Sequence, residues 1–208
     1  MLATSIADAL EALSSMEKGR PYSLRPEDPK RRLADDLAGI AREVDVVPVV
    51  IGGLAVNHHG YLRLTADLDV LLTKAGAAAL LRRLRSEVGW KRQGDGFKNT
   101  VLGVSVDFCV EGEKTAPGSS ETFPNPSDLE TVDTEPLPVP SLSELIALKV
   151  MSGRARDDAD VVELLKRHRA RIPALRRKAS KRLRTPEARE RLRQLVARAR
   201  AELRRRRS

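Results

Sequence analysis

The sequence is poor in several things at once. It has one cysteine, Cys109, so it can form no internal disulfide, and a reducing compartment fits. Aromatic residues make up only 3% of the chain, against 41% hydrophobic residues in all, so Leu, Val and Ala must fill the core. No apolar run approaches the roughly 20 residues of a membrane span. Met1 to Arg20 carries Asp8 and Glu11 and lacks the basic-then-apolar layout of a signal peptide. A soluble, cytoplasmic protein is expected, with no membrane among its partners.

What the chain has in excess is positive charge, and it is unevenly placed. The net charge is +9. Arg167 to Ser208 holds 18 Lys and Arg against 3 Asp and Glu, while Met1 to Lys166 holds 20 against 26. The basic character therefore belongs to the tail. Such a tail suits a polyanion such as RNA, and equally suits a solubilising helix.

The 208 residues suggest one compact domain with an appendage, or two small domains. Three parts are expected: an N-terminal helix and linker over residues 1–30, a core over 31–135, and a helical region with the basic tail over 136–208. Ile6 to Met16 has helical spacing, and Pro21, Pro26 and Pro29 read as a linker. Helices are expected over Arg32 to Val44, Leu54 to Tyr61, Ala75 to Val88, Leu142 to Met151 and Asp157 to Arg167, with a last one starting at Thr185-Pro186. Strands are expected over Val46 to Ile51, Asp67 to Leu72, near Phe97 to Leu102 and near Val104 to Val110. Glu111 to Pro126 reads as a mobile loop. Ser141-Leu142-Ser143-Glu144 has the form of a capping box. Strands first and helices after them argue for an α+β fold, α/β-like, with a helical C-terminal part.

The chemistry concentrates between Ile51 and Val70. Gly52-Gly53 ends an apolar strand and lets backbone approach a ligand closely; a helix starting there presents free amides to phosphate. Asp67 and Asp69 are two apart on an expected strand, so both side chains leave one face. Side-by-side carboxylates repel unless a cation intervenes, and hard divalent ions take such oxygens together with substrate phosphates. Alternation in Val104-Ser105-Val106-Asp107-Phe108-Cys109-Val110 turns Asp107 away from the apolar face. If the two strands are neighbours, Asp67, Asp69 and Asp107 converge. Such a triad suits two ions about 4 Å apart, with Asp107 as metal ligand and general base. His58 and His59 are adjacent and point apart on a helix, so His59 is expected to pack or hydrogen-bond behind the site.

Gly-Gly, thirteen residues, Asp-apolar-Asp and a later Asp in an apolar strand resemble the DNA polymerase beta-type nucleotidyltransferase superfamily. The run His59-Gly60 with Arg63-x-Thr65-x-Asp67-x-Asp69 is more similar to the bacterial abortive-infection nucleotidyltransferase toxin group. So is Lys149 followed by Arg154-x-x-Asp157-x-x-Asp160. The resemblance covers Val46 to Leu165. It implies a mixed sheet flanked by helices, with an NTP in a cleft between sheet and helical part. It implies nucleotide contacts from Gly52, Gly53, Arg63, Thr65, Lys149 and Asp157, and Mg²⁺ or Mn²⁺ held by Asp67, Asp69 and Asp107. An ion-pair role suits Asp160. Leu54 stands where the wider superfamily often has serine, which removes a hydroxyl contact to phosphate.

The activity implied is transfer of NMP from an NTP to a tRNA or other RNA, a protein hydroxyl or a small molecule. A toxin of a toxin–antitoxin pair, with a cognate antitoxin protein as partner, fits the same resemblance. The alternative is a non-catalytic nucleic-acid-binding protein of the same fold that works through its basic tail.

Overall fold

A computed structural model describes residues 28–205. The helix expected over Ile6 to Met16, and most of the linker after it, lie outside the described residues.

The fold is α+β. Five strands make a mixed sheet: β1 (Val49–Val50), β2 (Leu68–Leu72), β3 (Trp90–Gln93), β4 (Gly96–Asn99) and β5 (Val104–Val110), in the order β1-β2-β5-β4-β3. The β2–β5 pair is parallel; the other neighbours run antiparallel. A second, two-stranded sheet joins β6 (Thr131–Val132) to β7 (Val139–Pro140). Helices are α1 (Pro29–Glu43), α2 (Gly52–His58), α3 (Lys74–Arg85), α4 (Leu142–Ser152), α5 (Ala155–Arg167), α6 (Ile172–Arg182) and α7 (Pro186–Arg205).

The two faces of the sheet bury different things. Leu68, Val70 and Leu72 of β2, with Val106 and Phe108 of β5, pack against α1 and α3. Leu71, between them in sequence, faces the other way into a core built mainly from α4 to α7. Alternation with period two thus puts Asp69 and Asp107 on the face that looks toward the C-terminal helices. Burying each of these leucines and valines stabilises the fold by about 1.5–3 kcal/mol.

Several expectations are corrected by the local chemistry. Pro29 opens α1 instead of belonging to a linker: Asp28 caps the helix by accepting from the Lys30 amide, and proline at the first position loses no needed donor. The strand expected over Val46 to Ile51 shrinks to two residues at the sheet edge, directly after Pro48. The capping box is not formed. Ser141 is the N-cap but makes no side-chain cap bond; its hydroxyl meets that of Ser143 at 3.1 Å, and Glu144 instead takes two bonds from Arg182, at 2.9 and 2.8 Å. Residues expected as a mobile loop are pinned. The Thr115 hydroxyl donates to the Met151 carbonyl at 2.8 Å, Lys114 bridges to Thr122, and the buried Glu121 accepts from the Thr185 amide at 3.0 Å. Strand β3 and helix α6 were not foreseen. Among the described residues no helix is long and apolar enough to cross a membrane.

Candidate active site

The site is assembled where β2 and β5 run side by side. Asp69 stands directly opposite Asp107 in the parallel register, and Asp67 sits one residue before β2. The charge of Asp67 reaches both Asp69 and Asp107, and that of Asp107 reaches Asp69. Burial first, then the charge of Asp107, raises the Asp69 carboxyl; the charge of Asp67 adds to this, while Lys149 and a hydrogen bond with the Gly53 backbone oppose it. Burial, then Asp67, then Asp95 raise Asp107, which is the exposed member of the pair. Cys109, next along the same face, is pushed up to about 12 by burial and by the two aspartates, so its thiol stays protonated.

Gly52 fits around Asp69. Its φ is +63°, and a Cβ placed on it would stand 1.8 Å from Asp69 Oδ2. No side chain can replace that hydrogen without moving the carboxylate. Gly53 is crowded in turn by Thr65, whose Oγ1 lies 2.5 Å from the position of a Cβ there. The segment carrying Thr65 is tied down by Asn57. This buried amide accepts from the Arg63 N–H at 3.0 Å and donates to the Arg63 carbonyl at 3.1 Å.

A cleft of about 610 Å³ opens over the pair, between the sheet and α4. Gly52, Asp69, Asp107, Lys149 and Asp157 line it, together with Arg154 and the pinned loop from Glu113 to Pro117. Gly53, Arg63, Thr65 and Asp67 are not among its lining residues. Arg63 is engaged elsewhere: its guanidinium holds Asp160 through Nε at 2.7 Å and Nη2 at 2.9 Å. Lys149 is buried between two carboxylates, with Nζ 2.6 Å from Asp157 Oδ1 and 2.9 Å from Asp160 Oδ2. Arg154 and the Ser152 hydroxyl close the other side of Asp157. Burial opposes ionisation of Asp157, but Lys149 and these bonds hold its carboxyl below the usual range. The chain Arg63–Asp160–Lys149–Asp157–Arg154 thus runs from the loop before β2 into the cleft.

His59 is the C-cap of α2 and is not among the cleft's lining residues. Its Nε2 donates to the Pro140 carbonyl at 2.8 Å, and burial lowers its pKa to about 4, so the ring is neutral at pH 7.

Sequence reasoning missed Asn57, Asp95 and Lys114. Gly94-Asp95, the two-residue loop between the paired Gln93 and Gly96, is a hairpin-turn signal that would have placed the β3–β4 hairpin and, with it, Asp95 beside the cleft. Nothing in the local pattern marks Asn57, whose role depends on a loop six residues on.

No family model matches the chain, and no curated protein matches it. Solved structures do. The crystal structure of ANT(2")-Ia in complex with adenylyl-2"-tobramycin is similar at 14% identity, over 83% of this chain and 98% of that one, with a TM-score of 0.39. JHP933 from Helicobacter pylori is similar at 13% identity, over 88% and 96%, also at 0.39. A STING-associated CdnE c-di-GMP synthase from Capnocytophaga granulosa is similar at 11% identity, over 97% and 87%, at 0.36.

Proposed function

We propose that this chain is a metal-dependent nucleotidyltransferase, and the observation that carries the reading is the Asp69–Asp107 pair, in register at the cleft and moulded onto Gly52. Two carboxylates in register at a cleft, Asp69 raised by burial and then by Asp107, and Asp107 raised by burial and then by Asp67 and Asp95, are an arrangement that lowers its energy by taking up a cation.

The donor chemistry fits Mg²⁺ or Mn²⁺. Among the described residues no three His, Cys, Asp or Glu side chains close on a common point. Mg²⁺ does not need three: it is commonly held by one or two carboxylates with phosphate oxygens and water completing the shell. Asp69 and Asp107 would hold it, with Asp67 beside them. When bound, the ion supplies neutralising charge to the triphosphate and lowers the barrier at phosphorus.

The chain's own residues do the rest. The Gly52 backbone borders the cleft without side-chain bulk, with Gly53 next behind it, so a phosphate approaches the backbone there. Lys149 and Arg154 add positive charge to the wall facing Asp69. An acceptor hydroxyl attacks the α-phosphorus of the NTP, the bond to the bridging oxygen breaks, and pyrophosphate leaves. The hydroxyl proton passes to a carboxylate oxygen of Asp107, the exposed member of the pair, whose carboxyl is raised by burial and by Asp67 and Asp95. Charge neutralisation and in-line positioning supply most of the rate.

Arg63 and Asp157 act in this reading by fixing Lys149 and the loop carrying Asp67. Thr65 supports Gly53. The acceptor is an RNA such as tRNA, a protein hydroxyl or a small molecule, and growth arrest by a toxin with its own antitoxin is one setting in which such transfer operates. The test is incubation of the full chain with each α-labelled NTP, Mg²⁺ and, in turn, total RNA, cell protein and small hydroxyl compounds. Label moving onto one acceptor supports the reading. No transfer to any, with Mg²⁺ or Mn²⁺, returns the chain to a non-catalytic binding role.

A further inference from the structure

The arginines of the C-terminal helices divide into two groups. Several are consumed by carboxylates: Arg182 by Glu144, Arg191 by Asp158, Arg193 by Glu190 and Arg198 by Glu202. Arg169, Arg200 and Arg204 are different. They are exposed, and among the described residues none forms an ion pair or side-chain hydrogen bond. These three converge on one groove of about 460 Å³, between the turn joining α5 to α6 and the end of α7. Its floor is Ile172, Pro173 and Leu203, and no carboxylate lines it.

From this geometry we infer that the groove is a binding surface for single-stranded RNA, separate from the cleft at Asp69. The charge is complementary to phosphodiester: three guanidinium groups without internal partners have only water and mobile anions to lose on binding. The apolar floor suits the face of an unstacked base, and guanidinium planes stack on such faces. A duplex keeps its bases inside, so the floor would go unused. RNA is the nucleic acid that presents single-stranded loops and ends for such contacts. A membrane surface fits less well, because the apolar stripe of α7 (Leu192, Leu195, Val196, Ala199) is buried in the core and is not free to insert. The inference does not depend on nucleotidyl transfer.

The test uses the full chain carrying Asp69→Asn, so that binding is read without turnover. Anisotropy of a short labelled single-stranded RNA is measured against salt for this protein, for Arg169→Gln/Arg200→Gln/Arg204→Gln added to it, and for Arg193→Gln/Arg198→Gln added to it. Each phosphate contact on a single strand contributes about 0.7 to the slope of log affinity against log salt. The groove variant is expected to lose at least about tenfold in affinity and roughly 2 from that slope, and the variant of the paired arginines to change less than about twofold. Ultraviolet crosslinking of the bound RNA is expected to fall on peptides containing Arg169 or Arg200, which locates the contact independently of any variant's folding. Unchanged affinity and slope in the groove variant, crosslinks elsewhere, tighter binding of duplex, or equal competition by anionic vesicles or polyglutamate would each overturn the inference.

Discussion

Arg63 and Asp160, 97 residues apart in sequence, meet through two parallel N–H···O bonds at 2.7 and 2.9 Å, with the Asp160 side chain only 1% exposed. The pair clamps the loop before β2 onto α5, and Asp160 also takes Lys149 at 2.9 Å. Replacing Arg63 by Leu strips a buried carboxylate of its bidentate partner. The expected cost is about 3 kcal/mol of stability, because the buried carboxylate keeps only Lys149, which it shares with Asp157. Urea unfolding measures it, and a loss below about 1 kcal/mol would show that the clamp is dispensable.

Gly52→Ala is the sharpest steric change in the site. The new methyl would meet Asp69 Oδ2 at 1.8 Å, and the left-handed φ of +63° adds backbone strain. A destabilisation of about 1–3 kcal/mol is expected from the backbone alone. Transfer activity is expected to fall at least about a hundredfold, a change typical of misplacing a reacting group by an ångström. Near-normal transfer by a folded Gly52→Ala protein would separate Gly52 from the site.

Much of this was readable before any coordinates. The alternation of Val104 to Val110 and the spacing of Asp67 and Asp69 assign the faces of two strands. What alternation does not say is which strands are neighbours. The parallel pairing that puts Asp69 opposite Asp107 is a tertiary fact. Long-range partners also undid local signals. Glu144 has the position of a capping-box residue but is drawn away by Arg182, 38 residues on. The loop from Glu111 to Pro126 looks free in composition, yet Thr115 and Glu121 are tied to α4 and to the start of α7. Helix α6 escaped notice because it buries only Ile172, Leu175 and Ala179 among many cations, too few for a clear stripe. Arg63 and Lys149 looked like phosphate ligands on motif grounds; the structure shows each already gripping carboxylates.

His59 sets an acid limit on stability. Its folded pKa is lowered from 6.5 to about 4, chiefly by burial. The unfolded chain therefore binds a proton at pH 5 that the native ring does not. Stability is full above pH 6.5 and is lost as pH falls toward 4, by about 3 kcal/mol from this residue. In His59→Gln, which keeps an amide to donate toward the Pro140 carbonyl, the fall between pH 6.5 and 4 is expected to be shallower. Thermal melts across that range test it; identical slopes would exonerate His59.

Divalent metal is expected to stabilise the free protein. At a hundredfold excess over its dissociation constant, a ligand of the native state adds about 2.7 kcal/mol, which for a chain of this size raises Tm by roughly 5–10 °C. Mg²⁺ or Mn²⁺ should give such a shift, and Asp69→Asn/Asp107→Asn should abolish it. A shift that survives in the double variant would place the ion elsewhere.

The most direct measurement is pyrophosphate release from NTP in the presence of Mg²⁺ and the accepted substrate, compared among the native protein, Asp69→Asn and Asp107→Asn. Each variant is expected to lose at least about a hundredfold in turnover while keeping its fold, as removal of one charge-stabilising group at a reacting centre does. Turnover that persists in either folded variant within about threefold of native would contradict the assignment of this aspartate pair as the centre of the reaction.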